Sequence, residues 1–413
     1  MTARPAIADD QRRARLVRRH RLGVGAHATS VTELADSLVG FHATTPSTVY
    51  LSAWARIAGF TPEAMDDALY RERTLVKQLA MRRTLFVFTR PTLGDAIGAV
   101  GPRVAASERT NMVRDLRRSP GFDDPDVWID TARAAVRDDL ADGGLRTSTQ
   151  LRERLPDLDG YVVNGVGTKW EARAPMGPRV LNMMSAAGEI VRGPNTARRR
   201  ERSERVEWSS QWHVSRPAWS SMSRWLGEEL PAETIEDGHR AMVRRWLRSF
   251  GPGTETDIVW WLGSTKRAVR AALAGLDVVE VDLDDGNIGY VLADDVPDDR
   301  PDANPTDDVE PRAFLLPELD PTTMGWKQRD FYLGPHREHV FDSNGNGGQT
   351  AWWDGRIVGG WRQSKEDGRI EVHPLEKLPR AATRALAEEA ERLAQWLGDV
   401  RPSPGYPAPF MRR

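Results

Sequence analysis

A short segment near the N-terminus, Phe41-His42-Ala43-Thr44-Thr45-Pro46, carries the side chains best suited to chemistry. His42 and Thr44 are two residues apart, so in an extended backbone their side chains project to the same face. A neutral histidine can accept a proton, and a threonine hydroxyl can orient a water molecule beside it. Pro46 suits the first position of a helix, whose exposed N–H groups favour a phosphate. The segment predicts a proton-accepting pair beside a phosphate-binding helix end; a purely structural role for His42 is the alternative.

The elements around this segment repeat one plan, in which short helices precede a pair of strands. The clearest copy is residues 235–292, where apolar residues recur at helical spacing before Gly251-Pro252-Gly253. Ser264 is a predicted N-cap of the third helix of this copy, and Asp284-Asp285-Gly286-Asn287 is typical of a hairpin turn. Three helices and a hairpin in this order are typical of a winged helix.

We therefore expect an α+β, mainly helical chain with three tandem winged-helix units and a C-terminal β-rich, barrel-like module. The expected segments are winged helix 1 with the candidate loop at 1–95, winged helix 2 with a basic segment at 96–234, winged helix 3 at 235–292, an acidic linker at 293–310, and the β-rich module with its closing helix at 311–413. A chain of 413 residues is long enough for several such units.

Composition excludes several function classes. The chain has no cysteine, which rules out disulfides, thiolate nucleophiles and cysteine-based metal sites. No apolar stretch approaches the length of a membrane span, and the N-terminus lacks a signal-peptide pattern, so we expect a cytoplasmic, nucleoid-associated protein. His336 and His339 have no third ligand near them in sequence, so no metal site is predicted.

The net charge of −2 conceals separate acidic and basic stretches. Acid is concentrated in residues 277–310, whereas arginine is dense in 12–21 and 192–216. A polyanion responds to local positive charge, so nucleic acid remains a candidate partner. The candidate DNA-binding residues are Lys266, Arg267 and Arg270 on one helix, and Arg198, Arg199 and Arg200 in the basic segment. A solvated helix face is the alternative for the first group, and a salt-bridged helix for the second.

Several strings along the chain match, in order, the motifs of one protein family. The first runs from Leu38 to Trp54 (LVGFHATTPSTVYLSAW) and contains the candidate segment. Further matches follow in order: KQLAMRRTL from Lys77, LLPELDP from Leu315, Asn344-Gly345, and DGRIVGGW from Asp354. Together these strings resemble the AlkZ/YcaQ-like DNA glycosylase family. The resemblance covers nearly the whole chain and implies three tandem winged helices with a β-rich element, shaped around duplex DNA.

The resemblance also implies a reaction, the excision of alkylated bases and the unhooking of crosslinks. The family's catalytic signature is usually Gln-x-Gln or Gln-x-Asp, and its positions are occupied here by His42 and Thr44. An N7-alkylated purine is already cationic and leaves without protonation, so the enzyme needs only to hold a water and stabilise an oxocarbenium-like sugar. His42 would accept the water's proton and Thr44 would orient it, with Asp320 as a supporting residue.

We therefore expect a monofunctional glycosylase that needs no cofactor, with double-stranded DNA as its partner. No protein partner is required, and a monomer would suffice. The alternative is a non-catalytic winged-helix DNA-binding protein, either a regulator or a lesion-binding protein. A protein–protein scaffold is a third alternative.

Overall fold

The computed structural model describes residues 4–23, 25–119, 121–164, 167, 169, 171–195, 212–230, 233–296 and 311–412. Its helices are α1 (Asp9–Arg19), α2 (Val31–Ser37), α3 (Pro46–Trp54), α4 (Pro62–Asp66), α5 (Arg90–Leu116), α6 (Pro125–Asp139), α7 (Ser148–Arg154), α8 (Gly177–Ala186), α9 (Met222–Leu226), α10 (Ile235–Phe250), α11 (Glu255–Leu262), α12 (Lys266–Ala274), α13 (Asp330–Leu333), α14 (Arg337–Val340) and α15 (Arg380–Leu397). Its strands are β1 (Ala6–Ile7), β2 (Phe41–His42), β3 (Leu75–Leu79), β4 (Leu85–Thr89), β5 (Arg146–Thr147), β6 (Tyr161–Asn164), β7 (Ala172–Pro175), β8 (Ile190–Asn195), β9 (Pro217–Ser221), β10 (Val278–Leu283), β11 (Ile288–Leu292), β12 (Ala313–Leu316), β13 (Thr350–Trp353), β14 (Arg356–Gln363) and β15 (Ile370–Pro374). The expected α+β, mainly helical class is confirmed.

The chain forms two compact units. The first contains Met1–Met65 and Arg240–Arg413, and the second contains Asp66–His239. This division groups the chain differently from the five segments expected from sequence, whose boundaries remain a prediction. None of the helices in the described residues has the length and apolar composition that a bilayer crossing requires.

Residues 235–292 contain the predicted three helices and hairpin. The apolar face of α10 is buried, which explains its helical spacing: Met242, Val243, Trp246, Leu247 and Phe250. The third helix of this group, α12, begins one residue later than predicted, because Thr265 rather than Ser264 accepts the N–H of Ala268. β10 and β11 pair antiparallel across Gly286, whose φ of 77° suits the turn, and β1 adds to β10 in parallel.

The C-terminal strands form an open sheet in the order β12-β13-β14-β15. The expectation of a barrel-like module is wrong, because four strands are too few for the small closed barrels that side chains fill, which have about eight. α15 packs against β12 and β15 through residues three or four apart, namely Ala382, Leu386, Ala390, Leu393 and Leu397. Asp354 and Gly355 both have positive φ, as the predicted Asp-Gly hairpin between β13 and β14 requires.

The second unit is built around α5, a helix of 27 residues that the sequence patterns did not predict. Gly94, Gly98, Gly101 and Pro102 all weaken the local preference for a helix. A Cβ at Gly101 would lie 2.8 Å from the carbonyl oxygen of Ala186, so glycine permits the close packing of α5 on α8. The buried core between α5, α6 and α8 includes Met112, Leu116, Ile129, Val136, Val180, Leu181 and Met184. Antiparallel pairs β3–β4 and β6–β7 and the sheet β5-β9-β8 complete this unit.

Candidate active site and DNA-contact surfaces

The candidate loop lies in the first unit between a strained turn and the start of α3. Val39 has a φ of 60°, a conformation that a β-branched residue rarely adopts, and Gly40 follows with a φ of 141°. Thr45 is the extended N-cap residue of α3, and Pro46 occupies its first turn as predicted. Backbone strain of this kind persists only where the surroundings impose it, and it is frequent at functional sites.

The two predicted catalytic side chains differ in exposure. His42 is 3% exposed, whereas Thr44 is half-buried. Phe41 and Ala43, the neighbours of His42 in the chain, are buried as well. The loop therefore gives His42 a desolvated position and leaves Thr44 closer to the solvent; whether the two act together remains a prediction.

A buried polar cluster ties α3 to the segment that follows β12. Asp320 is 0% exposed and accepts hydrogen bonds from both terminal nitrogens of Arg56, at 2.7 and 2.9 Å. Its carboxylate also accepts from the Ser52 hydroxyl at 2.6 Å and from the Thr322 backbone N–H at 2.9 Å. We call His20, Ser52, Arg56, Asp320 and Thr322 the Asp320 network. Its geometry is that of a fully paired buried ion pair, and the supporting role of Asp320 at the site remains a prediction.

His20 completes the Asp320 network. Its Nδ1 lies 2.8 Å from the Thr322 hydroxyl, and its backbone carbonyl accepts from Arg56 Nε at 2.9 Å. Burial, and after it the positive charge of Arg56, lowers the pKa of His20 to about 3. His20 is therefore neutral in the folded protein, and its role here is packing and hydrogen bonding.

Glu318 is a site residue that the sequence patterns did not single out. Its carboxylate accepts hydrogen bonds from the backbone N–H groups of Gly405 and Tyr406 and from the Thr45 side chain, at the N-cap of α3. Burial raises the pKa of Glu318, against the effect of these hydrogen bonds. The available signal was a second acidic residue within the apolar string Leu315-Leu-Pro-Glu-Leu-Asp320.

The predicted DNA-contact residues of α12 all lie at the surface. Lys266, Arg267 and Arg270 are exposed, while Val269 and Leu273 on the opposite face are buried. Arg270 is paired with Glu255 at 2.5 Å, and this hydrogen bond raises its pKa. Lys266 and Arg267 form no ion pair with the described residues. The predicted residues Arg198, Arg199 and Arg200 lie outside the described residues.

A second basic surface lies on α1 and α10. Its groove, of about 480 Å³, is lined by the arginines Arg18, Arg19, Arg21, Arg244, Arg245 and Arg248, with Asp36, Ser37 and Ser249. Arg19 and Arg248 are paired with Asp295 and Asp294, while Arg18 and Arg244 are exposed. The basic stretch at 12–21 thus contributes to a surface of local positive charge.

The fold and loop can be compared with known proteins. The family model of AlkZ-like DNA glycosylases matches residues 35–396. The chain belongs to the AlkZ-like DNA glycosylase family. The solved DNA glycosylase AlkZ of Streptomyces sahachiroi is similar in fold, with a TM-score of 0.68 and 20% identity over 96% of this chain and 98% of that chain. No curated protein matches the sequence.

Membership of the AlkZ-like family implies a DNA glycosylase, a repair hydrolase whose substrate is DNA. The matched region contains the whole candidate loop, the Asp320 network apart from His20, and α12. The assignment of His42 and Thr44 to the catalytic positions of this AlkZ-like chain remains a prediction from its sequence.

Proposed function

We propose that the protein is a monofunctional DNA glycosylase that hydrolyses the N-glycosidic bond of N7-alkylated purines in duplex DNA, with bulky and crosslinked lesions as candidate substrates. Family membership supports the reaction class. The observation that supports the assignment of the site is the strained loop in which His42 and the half-buried Thr44 immediately precede the first turn of α3.

His42 and Thr44 would have different roles in activating the attacking water. The alkylated purine is a cationic leaving group, so no acid is needed to protonate it. His42 would take the proton from the attacking water, and the half-buried Thr44 hydroxyl would orient that water. The N-terminal N–H groups of α3 would favour a phosphate of the DNA backbone near the reacting sugar.

The Asp320 network would hold this arrangement in place. Thr48 donates to the backbone carbonyl of Glu318 at 2.9 Å, and Ser52 and Arg56 bind Asp320 one and two turns further along the chain. Thr48 and Ser52 lie four residues apart on α3 and Arg56 lies just after its end, so these contacts restrain both the position and the rotation of α3. Asp320 would therefore act through α3 as a positioning residue.

DNA would contact the molecule through its basic surfaces. We propose Lys266, Arg267 and Arg270 of α12 as backbone contacts, with α10–α12 and the β10–β11 hairpin as one of three tandem winged helices. The segment boundaries of the sequence analysis and the contacts of Arg198, Arg199 and Arg200 belong to the same proposal. A monomer without a protein partner would be sufficient to bind the duplex.

The test is a cleavage assay on a duplex that carries one N7-alkylguanine. We expect wild-type protein to give abasic sites that alkali converts to strand breaks, with no breaks before alkali. His42→Ala should lower the rate about 100-fold or more, and Thr44→Ala by a smaller factor, because general-base catalysis contributes on this scale. His339→Ala is the matched control, since His339 is a half-buried histidine outside the loop. Unchanged cleavage by His42→Ala would remove His42 as the base.

A non-catalytic DNA-binding protein is the second candidate, and the near-complete burial of His42 favours it. Such a protein would bind the same duplex with strong salt dependence and release no base. A repair role predicts preference for the lesion, whereas a regulator would prefer one sequence.

A further inference from the structure

The first turn of α3 is fixed by a contact from outside the helix. Its N-cap residue, Thr45, directly follows Thr44 of the candidate loop. An N-cap threonine normally accepts a hydrogen bond from an N–H group of the first turn, but the Thr45 hydroxyl makes no such bond with the described residues of α3. It donates instead to the carboxylate of Glu318, which is 3% exposed. The position of Thr45 therefore depends on what holds Glu318.

The same carboxylate binds the chain near its C-terminal end. It accepts hydrogen bonds from the backbone N–H groups of Gly405, at 2.9 Å, and of Tyr406. A Cβ on Gly405 would lie 3.1 Å from the Thr45 hydroxyl oxygen, so the two partners of Glu318 also approach each other closely. The loss of any one donor leaves a buried acceptor less satisfied, which is unfavourable. Movement of Thr45, of Glu318 or of residues 405–406 therefore disturbs the other members of this contact.

Residues 402–411, which we call the clasp, are docked on the first unit beyond their contact with Glu318. Ala408 is fully buried. A Cβ on Gly348, just before β13, would clash with the backbone of Ala408, and a Cβ on Gly360 of β14 would clash with the ring of Phe410. Four prolines fix φ within the clasp and reduce the entropy that it loses on docking: Pro402, Pro404, Pro407 and Pro409. The clasp is therefore a docked and preorganised element.

The candidate loop needs an anchor where it enters α3. At its other end, Val39 and Gly40 have φ values of 60° and 141°. Strained backbone persists only where the surroundings impose it, so a loop released at Thr45 would relax. A displacement of about 1 Å in the reacting groups can lower a rate about 100-fold. The contact between Thr45 and Glu318 is therefore placed where it can set the position of His42 and Thr44.

We propose that Glu318 is a positioning residue for the candidate loop: by binding Thr45 and the clasp together, it holds the loop in the geometry that the reaction requires. It acts through Thr45 and needs no contact with the DNA or with the attacking water. The effect on the rate rests on the proposed function, whereas the restraint on the loop does not. The two parts of the proposal therefore have separate tests.

Hydrogen–deuterium exchange of the full chain tests the restraint without a substrate. Gly405→Val places a branched side chain against Thr45 from the side of the clasp, and Glu318→Gln puts an NH₂ group where the carboxylate accepts one of its hydrogen bonds. Each variant should speed amide exchange in residues 41–48 about tenfold, because the start of α3 opens locally more often. Ser403→Val is the matched control, since it adds the same side chain to an exposed position of the clasp two residues away and should leave that exchange unchanged.

Single-turnover cleavage of the N7-alkylguanine duplex tests the effect on the rate. Gly405→Val and Glu318→Gln should lower the rate constant about tenfold and leave the affinity for the duplex within about twofold, because the loop and not a DNA-contact surface is altered. Thr45→Val, which lacks the hydroxyl, should show the same loss, and Thr45→Ser, which keeps it, should recover most of the rate. A merely structural role would instead lower the urea midpoint of the variants and leave the rate of the folded protein unchanged.

Unchanged exchange in residues 41–48 of both Gly405→Val and Glu318→Gln overturns the proposal, whether or not the wild type cleaves. Faster exchange with an unchanged rate also overturns it, because the restraint would then have no consequence for the reaction. If Gly405→Val does not fold, Glu318→Gln and the comparison of Thr45→Val with Thr45→Ser decide the matter. Faster exchange in the variants of a protein whose wild type releases no base supports the restraint and refutes the proposed function alone.

Discussion

Glu318 and Asp320 are two residues apart in one buried segment, yet their surroundings differ in kind. Asp320 is saturated by Arg56, Ser52 and a backbone N–H, whereas Glu318 meets only neutral donors and faces a cavity. Leu319 between them has a φ of 54°, a strained conformation for a residue other than glycine. This backbone turn separates the two carboxylates, so that they lie in different environments. The comparison indicates that two buried carboxylates in one segment are stabilised differently, Asp320 by a counter-charge with hydrogen bonds and Glu318 by neutral hydrogen-bond donors.

The largest expected effect is a loss of folding stability when the paired carboxylate, Asp320, is replaced. Asp320→Asn leaves the Arg56 guanidinium buried without a counter-charge, which should lower the free energy of unfolding by about 3–5 kcal/mol. Urea denaturation followed by circular dichroism measures the change. Arg384→Ala is the control, because the exposed Arg384–Glu388 pair should contribute less than about 1 kcal/mol.

Glu318→Gln tests the second carboxylate of this comparison, which has no counter-charge. The folded-state pKa of Glu318 lies above its unfolded value of 4.5, so its ionisation disfavours folding as the pH rises above that value. Removing the charge should therefore leave the stability at neutral pH unchanged or raised. A loss as large as that of Asp320→Asn would mean that both carboxylates are structural, and the contrast would disappear.

The Asp320 network should also set part of the acid sensitivity of the fold. The pKa of His20 falls from 6.5 in the unfolded chain to about 3 in the folded protein, so between these values the unfolded chain binds the extra proton. Stability is therefore lost as the pH falls below 6.5, by about 1.4 kcal/mol for each pH unit from this group. His20→Asn should flatten the dependence of the urea midpoint on pH over this range, and His339→Asn should leave it as in the wild type. An equal slope in both variants would contradict the assignment.

The sequence predicted the parts of this molecule that local patterns determine. The Thr45-Pro46 helix start, the group of three helices with a hairpin at 235–292 and the Asp354-Gly355 turn all depend on neighbours within a few residues. Helix α5 was missed because its glycines disfavour a helix locally and are explained only by its packing on α8.

At the candidate site, too, local sequence patterns were not sufficient for prediction. Asp320 and Glu318 stand in one apolar string, and nothing local distinguishes them. The distinction comes from Arg56, which lies 264 residues before Asp320 in the chain, and from Gly405 and Tyr406 near the C-terminus. Distant partners of this kind decide which acidic residue is structural, and a single sequence does not display them.

The smallest expected effect extends the comparison to the surface of α12. Arg270 is paired with Glu255, whereas Lys266 and Arg267 form no ion pair with the described residues. We expect that the cationic side chains without an ion pair in the free protein are those that bind DNA phosphates. Lys266→Ala and Arg267→Ala should then each reduce the slope of log affinity against log salt by about 0.9, the value for one lost phosphate contact. Arg270→Ala should reduce it by less, because Glu255 already neutralises that charge. Fluorescence anisotropy with a labelled duplex over a range of salt concentrations measures the slopes. A change in slope for Arg270→Ala equal to that of the other two variants would show that the Arg270–Glu255 ion pair opens when DNA binds. Ion pairing in the free protein would then not predict which cationic residues of α12 contact DNA.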